Sequence, residues 1–263
     1  MVMEPAATVL LLWLVFGGAH VALASAPIRG PLSARLGERG FDVLFSSIAG
    51  VTFAALVHYY AGHRMDGAMG PALGHGGVLR WMAMGSIVAG FGLAAAALTS
   101  YSRSPYALFG GPGVGEPRGI ERVTRHGFLV GVVLVAVPHA LLATRLAGTA
   151  FFAGFVLLAI VGGWHQDRKL LTRRGPGYRE YLARTSFVPF AAIVAGRQRL
   201  VWREMPARHL AAGALVAVAL RAVHDGIFVW GGAVLIGAVL SGALVETVRG
   251  WRRARSRLAQ DSA

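Results

Sequence analysis

Apolar residues run almost unbroken over about 6–26, 40–61, 78–99, 128–144, 149–164, 208–223 and 227–247, and polar residues collect between these runs. Most approach the roughly 20 apolar residues that a helix needs to cross the hydrocarbon slab of a bilayer. The fourth and fifth runs are short and are joined by a tight turn around Thr144–Thr149, which predicts a helical hairpin. The pattern predicts an all-α fold: a polytopic integral membrane helical bundle of about seven transmembrane helices. It forms a single membrane domain over 1–263, with a core at about 6–204 and two C-terminal helices at about 208–247.

The polar positions add an orientation. The segments 27–39, 100–127 and 165–207 and the tail 248–263 hold nearly all the arginines, whereas 62–77, 145–148 and 224–226 hold Arg64 and Arg145. Positive charge collects in cytoplasmic loops, so the expected topology is N-out/C-in, a parity that seven spans satisfy. The N-terminus lacks a basic n-region, and the first run is expected to be a retained span rather than a signal peptide. The stretch RRGPGYREYLARTSFVPFAAIVAGRQ is basic and amphipathic. It predicts an interfacial amphipathic helix lying on the membrane through Tyr178, Tyr181, Phe187 and Phe190, the alternative being a plain cytoplasmic loop. Pro105, Gly110, Gly111, Pro112, Gly113 and Pro117 predict an irregular loop over 100–126.

Composition narrows the function classes. The chain has 263 residues, 55% hydrophobic and 14% charged, against roughly 25% charged in a soluble domain. Its formal charge is +14, and every basic residue except Lys169 is arginine. These arginines are scattered through short loops beside apolar runs and form no basic groove, which argues against a nucleic-acid partner. Membrane lipids are the expected surroundings, and the expected location is the inner (plasma) membrane of a bacterium. There is no cysteine, which excludes disulfides, thiolate ligands and cysteine nucleophiles. No paired carboxylates, nucleophile–base arrangement, phosphate loop or zinc-type spacing stands out.

The richest stretch is Gly119–His139, GIERVTRHGFLVGVVLVAVPH. Its first half brings Arg122, Arg125 and His126 together. Its second half is apolar and carries His139 directly after Pro138. An ionisable side chain inside the bilayer costs free energy and needs a partner. His20 lies in the first apolar run, in LVFGGAHVALAS, among small residues that let a flat macrocycle approach the backbone. A haem iron accepts two imidazoles from different helices, so His20 and His139 are candidate axial ligands. A hydrogen-bonded structural histidine is the alternative for each. Arg122, Arg125 and His126 are candidates for holding propionates or another anionic group, or else form a solvated basic loop. Asp167 and Arg168, after His165, form either a paired interfacial site or a salt bridge at a helix end.

These residues sit in a series of ordered motifs: AHVALASAPIRGPLSARLGERGFDVLFSSIAG, HRMDG, GIERVTRHG, VPHALL, WHQDRKLLTRRG and TSFVPFAAIVAGRQRL. With them the chain resembles the family that joins bacterial NnrU proteins to the plant-type 15-cis-zeta-carotene isomerase, and it looks closer to the isomerase branch. The resemblance implies a membrane protein with haem b ligated at His20 and His139. It implies cis–trans isomerisation of a lipid-soluble, carotenoid-like polyene without net redox change, with an electron donor to reduce the iron. For the NnrU branch it implies a role in nitrite and nitric oxide metabolism. Two positions depart from the pattern: Gly127 replaces a proline after the Arg–His pair, and Ala136 replaces a cysteine of the isomerase. The Arg125–His126 pair followed by GPGYREYLARTSFVPF is also loosely similar to membrane methyltransferases that bind S-adenosylmethionine, although a glutamate of that pattern is missing.

Overall fold

The computed structural model describes residues 3–100 and 114–261, so the stretch 101–113 of the irregular loop expected at 100–126 lies outside the described residues. The helices in chain order are α1 Pro5–Ala24, α2 Ala26–His63, α3 Gly77–Ser100, α4 Ile120–Val123, α5 Gly127–Leu142, α6 Leu146–Arg184, α7 Ala191–Val194, α8 Ala207–Ala222 and α9 Ala233–Asp261. Among the described residues no strand forms, and a lone antiparallel bridge pairs Met69 with Arg145. The all-α expectation holds.

Among the described residues four helices, α1, α2, α3 and α6, are long and apolar enough to cross a membrane. The run at 128–144 becomes α5, a helix of 16 residues, about 24 Å long against a hydrocarbon core of about 30 Å. α8 is equally short.

The expected loop 27–39 is helical, and the helix expected in the basic stretch after the fifth apolar run is continuous with that run up to a glycine break. The segment 27–39 belongs to α2, and the helix beginning at Leu146 continues through the basic stretch to Arg184. Arginine, leucine, alanine and glutamate all favour helix, and charge alone does not end one. Each long helix is instead broken by a glycine in the left-handed region: Gly37 at φ 71° in α2 and Gly175 at φ 56° in α6. Side chains with a Cβ resist that region, so glycine marks the point where the chain changes direction. Pro176 follows Gly175 and starts the next helical turn with the φ that proline prefers.

The chain divides into two compact units, one of Met1–Ala72, Ala140–Gly154 and Val223–Ala263, the other of Leu73–His139 and Phe155–Ala222. In the first, α1 packs on α2 and α2 on α9. Its core is aromatic. Trp13 donates from Nε1 to the Phe151 carbonyl at 3.0 Å, and the Tyr60 ring stacks on Phe151 with centroids 4.0 Å apart. Glu4 caps α1 by accepting from the Ala6 backbone N–H at 2.7 Å, and it also accepts from the N–H of Ala68 at 3.1 Å, just past HRMDG. In the second unit α3 packs on α8. They meet where Gly92 and Gly213 leave room for backbone to touch backbone.

Candidate functional site

The stretch around Arg122–His126 is positioned by hydrogen bonds to a segment more than 60 residues later. Arg125 donates its backbone N–H to the Ser186 carbonyl at 3.0 Å, the Thr124 hydroxyl donates to the Phe187 carbonyl at 2.7 Å, and Phe190 donates its N–H to the Val123 carbonyl at 2.9 Å. Phe190 holds this position at φ 63°, a conformation that a bulky residue keeps only when its surroundings impose it.

Asp167 is the centre of the second unit's polar cluster. Its Oδ2 accepts from Arg125 Nε at 3.0 Å and Nη2 at 2.8 Å. Its Oδ1 lies 2.9 Å from His126 Nε2 and accepts from the Tyr178 hydroxyl at 2.7 Å. A carboxylate only accepts, so His126 carries its proton on Nε2. The His126 side chain is 2% exposed and the Asp167 side chain 12%, which makes this a desolvated network rather than a solvated loop. The Tyr181 ring stacks 5.7 Å from Tyr178. Its hydroxyl and His165 Nε2 are buried without a hydrogen-bond partner among the described residues.

A second carboxylate serves Arg122. Glu204 accepts from Arg122 Nε at 2.8 Å, from Arg122 Nη2 at 3.1 Å and from the Gly119 N–H at 2.9 Å, while Arg122 Nη1 donates to Gln198 Oε1 at 2.9 Å. The Arg122 guanidinium, then the Gly119 N–H, pull the Glu204 carboxyl down to about 2. Glu116 pairs with Arg184, whose guanidinium holds that carboxyl below its usual range.

Several expectations change with this geometry. Arg122, Arg125 and His126 meet carboxylates of the chain itself. Asp167 and Arg168 do not act as one pair: Asp167 turns to Arg125, His126 and Tyr178, whereas the Arg168 guanidinium lies 4.7 Å from the Trp164 ring centroid. Neighbouring helical residues point in different directions, which separates the two. Of the four aromatics expected at the membrane surface, Tyr178 and Tyr181 are buried, and Phe187 packs its ring 4.9 Å from His126. Phe190 alone of them is exposed. Glu204, Gln198 and the polar role of Tyr178 went unread in the sequence. The one local hint is that Tyr178 and Tyr181 stand three apart, on one helix face.

The two candidate iron ligands lie in different units, His20 in the first and His139 in the second. His20 is lined by the Phe45 ring at 4.9 Å and the Phe16 ring at 5.7 Å. Gly17, one turn before it, has nothing within 4 Å of where a Cβ would stand. His139 Nδ1 sits 2.7 Å from the Val135 carbonyl. A carbonyl only accepts, so the proton is on Nδ1 and the lone pair on Nε2, the arrangement of a metal-binding imidazole oriented by its backbone. No cluster of three or more His, Cys, Asp or Glu residues suited to a metal ion occurs among the described residues. A haem iron takes an imidazole as axial ligand, and each of these histidines, taken by itself, has the chemistry of one.

The NnrU protein family matches residues 8–254. The chloroplastic 15-cis-zeta-carotene isomerase of Zea mays is 31% identical over 198 residues, covering 73% of this chain and 51% of the relative. That of Arabidopsis thaliana is 31% identical over 204 residues, covering 75% and 53%. The chain thus spans about half the length of the curated relatives it matches. No solved structure matches it. With nearly its whole length matched from before His20 to beyond Glu204, the chain belongs to the NnrU protein family.

Proposed function

We propose that this protein is a membrane cis–trans isomerase of a lipid-soluble, carotenoid-like polyene, with haem b held by His20 and His139. The observation that carries the reading is the 31% identity to two 15-cis-zeta-carotene isomerases over about three quarters of the chain. Helices long and apolar enough to cross a bilayer agree with a substrate that arrives through lipid. The proposal keeps seven spans, N-out/C-in, and an electron donor for the iron. The relatives are chloroplastic plant proteins, so the bacterial plasma membrane draws no support from them.

In this reading His139 offers Nε2 from a ring fixed by the Val135 carbonyl, and His20 offers its imidazole beside the space at Gly17. Bound there, the ferrous cofactor would supply a metal able to weaken the central double bond while it rotates. Phe16 and Phe45 line His20 and exclude water. Arg122, Arg125, His126 and Asp167 serve as a clamp. His126 precedes His139 by 13 residues, about 20 Å along a helix, and its cluster is charge-matched within the chain. Arg168 lies over the Trp164 ring, apart from that clamp.

The test is absorption spectroscopy of the detergent-purified wild type, His20→Ala and His139→Ala, with expression in cells that accumulate tri-cis zeta-carotene. A Soret band lost in both variants, with an isomer shift in the dark, supports the reading. Wild-type haem in both variants, or no isomer shift, refutes it. The match to the NnrU family over 8–254 favours a second reading, a haem protein of nitrite or nitric oxide metabolism, which predicts haem without isomerisation. Measurable S-adenosylmethionine binding would point to the methyltransferase resemblance instead.

A further inference from the structure

Ser86 lies on α3, outside every motif of the sequence. Its hydroxyl donates across to the Leu134 carbonyl of α5 at 2.8 Å. That carbonyl has a specific vacancy. In an α-helix it would accept from the N–H four residues on, and that residue is Pro138, which has none. A serine in a helix ordinarily returns its hydroxyl to a carbonyl of its own preceding turn. Here it fills the gap that proline leaves in a neighbour.

The next carbonyl along is that of Val135, the acceptor for His139 Nδ1 at 2.7 Å. The carbonyl that Ser86 holds and the one that orients the imidazole are therefore consecutive. Close contact stiffens the arrangement one turn away. A Cβ on Gly90 would come 2.7 Å from the Gly131 carbonyl oxygen, and a Cβ on Gly131 would come 2.7 Å from that of Gly90. Ser86 and Gly90 are four apart on α3, and Gly131 and Leu134 three apart on α5, so each pair shares a helix face.

We infer that Ser86 is a positioning residue for His139. Its hydroxyl replaces the hydrogen bond that Pro138 cannot make and ties α5 to α3 at that turn. Through the adjacent Val135 carbonyl that tie sets the direction of His139 Nε2. The inference rests on the reading of His139 as an iron ligand.

The experiment compares Ser86→Ala, Ser86→Thr and Ser86→Cys with the wild type as purified membrane protein. It reads the ferric low-spin electron paramagnetic resonance signal and the rate of haem loss to excess apomyoglobin. Losing a hydrogen bond behind a metal ligand weakens the site about 10-fold or more. Ser86→Ala should therefore lose haem about 10-fold faster, with a shifted low-spin signal, and Ser86→Thr should restore both. If Ser86→Ala does not fold, Ser86→Cys, similar in size and a weaker donor, should lie between alanine and wild type. Haem-loss rates and spectra equal to wild type in the alanine or cysteine variant overturn the inference, as does a defect that threonine leaves uncorrected. A wild type that purifies without haem overturns the functional reading and this inference together. Indifferent Ser86 variants of a haem-loaded protein overturn this inference alone.

Discussion

The Tyr178 hydroxyl donates a 2.7 Å hydrogen bond to Asp167 Oδ1, eleven residues back on the same broken helix. A straight helix would carry these residues about 16 Å apart. The turn at Gly175 folds the last part of α6, 176–184, back so that Tyr178 reaches the carboxylate. Asp167→Ala would leave Arg125, His126 and Tyr178 facing one another without the acceptor they share. Breaking a buried pair from one side costs about 3–5 kcal/mol. Tyr178→Phe removes a single bond to a charged group, worth about 1.5–3 kcal/mol. Unfolding by titration with sodium dodecyl sulfate in bicelles checks both, and equal losses in the two variants would contradict the network.

Acid should loosen the contact between Arg122 and Glu204. The Glu204 carboxyl titrates at about 2 in the folded chain, against 4.5 for an unperturbed glutamate. A depressed carboxyl contributes stability above its unfolded value and loses it as pH falls through the folded one. The contribution is therefore whole above 4.5 and fades toward 2. Glu204→Gln should melt roughly 2–4 °C below wild type at neutral pH. The gap should close across that acid window, as followed by thermal unfolding at a series of pH values. A gap independent of pH would show that the charge is not its source.

Two glycines of α6 should respond in opposite ways to alanine. A Cβ at Gly154 would fall 2.1 Å from the Trp13 ring, whereas at Gly162 nothing lies within 4 Å. The Trp13 ring is tied by its hydrogen bond to Phe151 and cannot move aside cheaply. Gly154→Ala should cost about 1–3 kcal/mol by overpacking, and Gly162→Ala should gain about 0.5–1 kcal/mol of helix preference. Unfolding of the two variants side by side decides it.

Ala136 stands three residues before His139, on the same helix face, and is 2% exposed. Ala136→Cys would place a sulfur beside the proposed ligand without leaving that face. Under the haem reading, the ferric variant should gain the spectral signature of thiolate ligation, lost again in Ala136→Ser. An unchanged spectrum would place the iron away from His139.

The sequence was legible where the physics is local. Apolar runs located α1, α3, α5 and α8 closely, since span length and composition are properties of a single stretch. His20 and His139 stood out because an imidazole in an apolar run is conspicuous. The partners of Arg122 and Arg125 were hidden for the opposite reason: Glu204 is 82 residues from Arg122, and Asp167 is 42 from Arg125. A charge pattern shows that an arginine exists, and only the folded chain shows which carboxylate meets it. Tyr178 read as a surface anchor because amphipathicity cannot separate a hydroxyl that faces water from one that faces a buried aspartate. Ser86 carried no local signal, since its value comes from a proline on another helix.

The inversion at Gly175 has a topographic consequence. Unbroken, the 39 residues of α6 would make a rod of about 58 Å, nearly twice the depth of the oily layer they cross. The far end of such a rod would stand out in water like a mast, with Arg179 and Arg184 far from the lipid headgroups. One residue with no side chain, Gly175, turns that far end, 176–184, back, so a single chain segment becomes both pillar and footing.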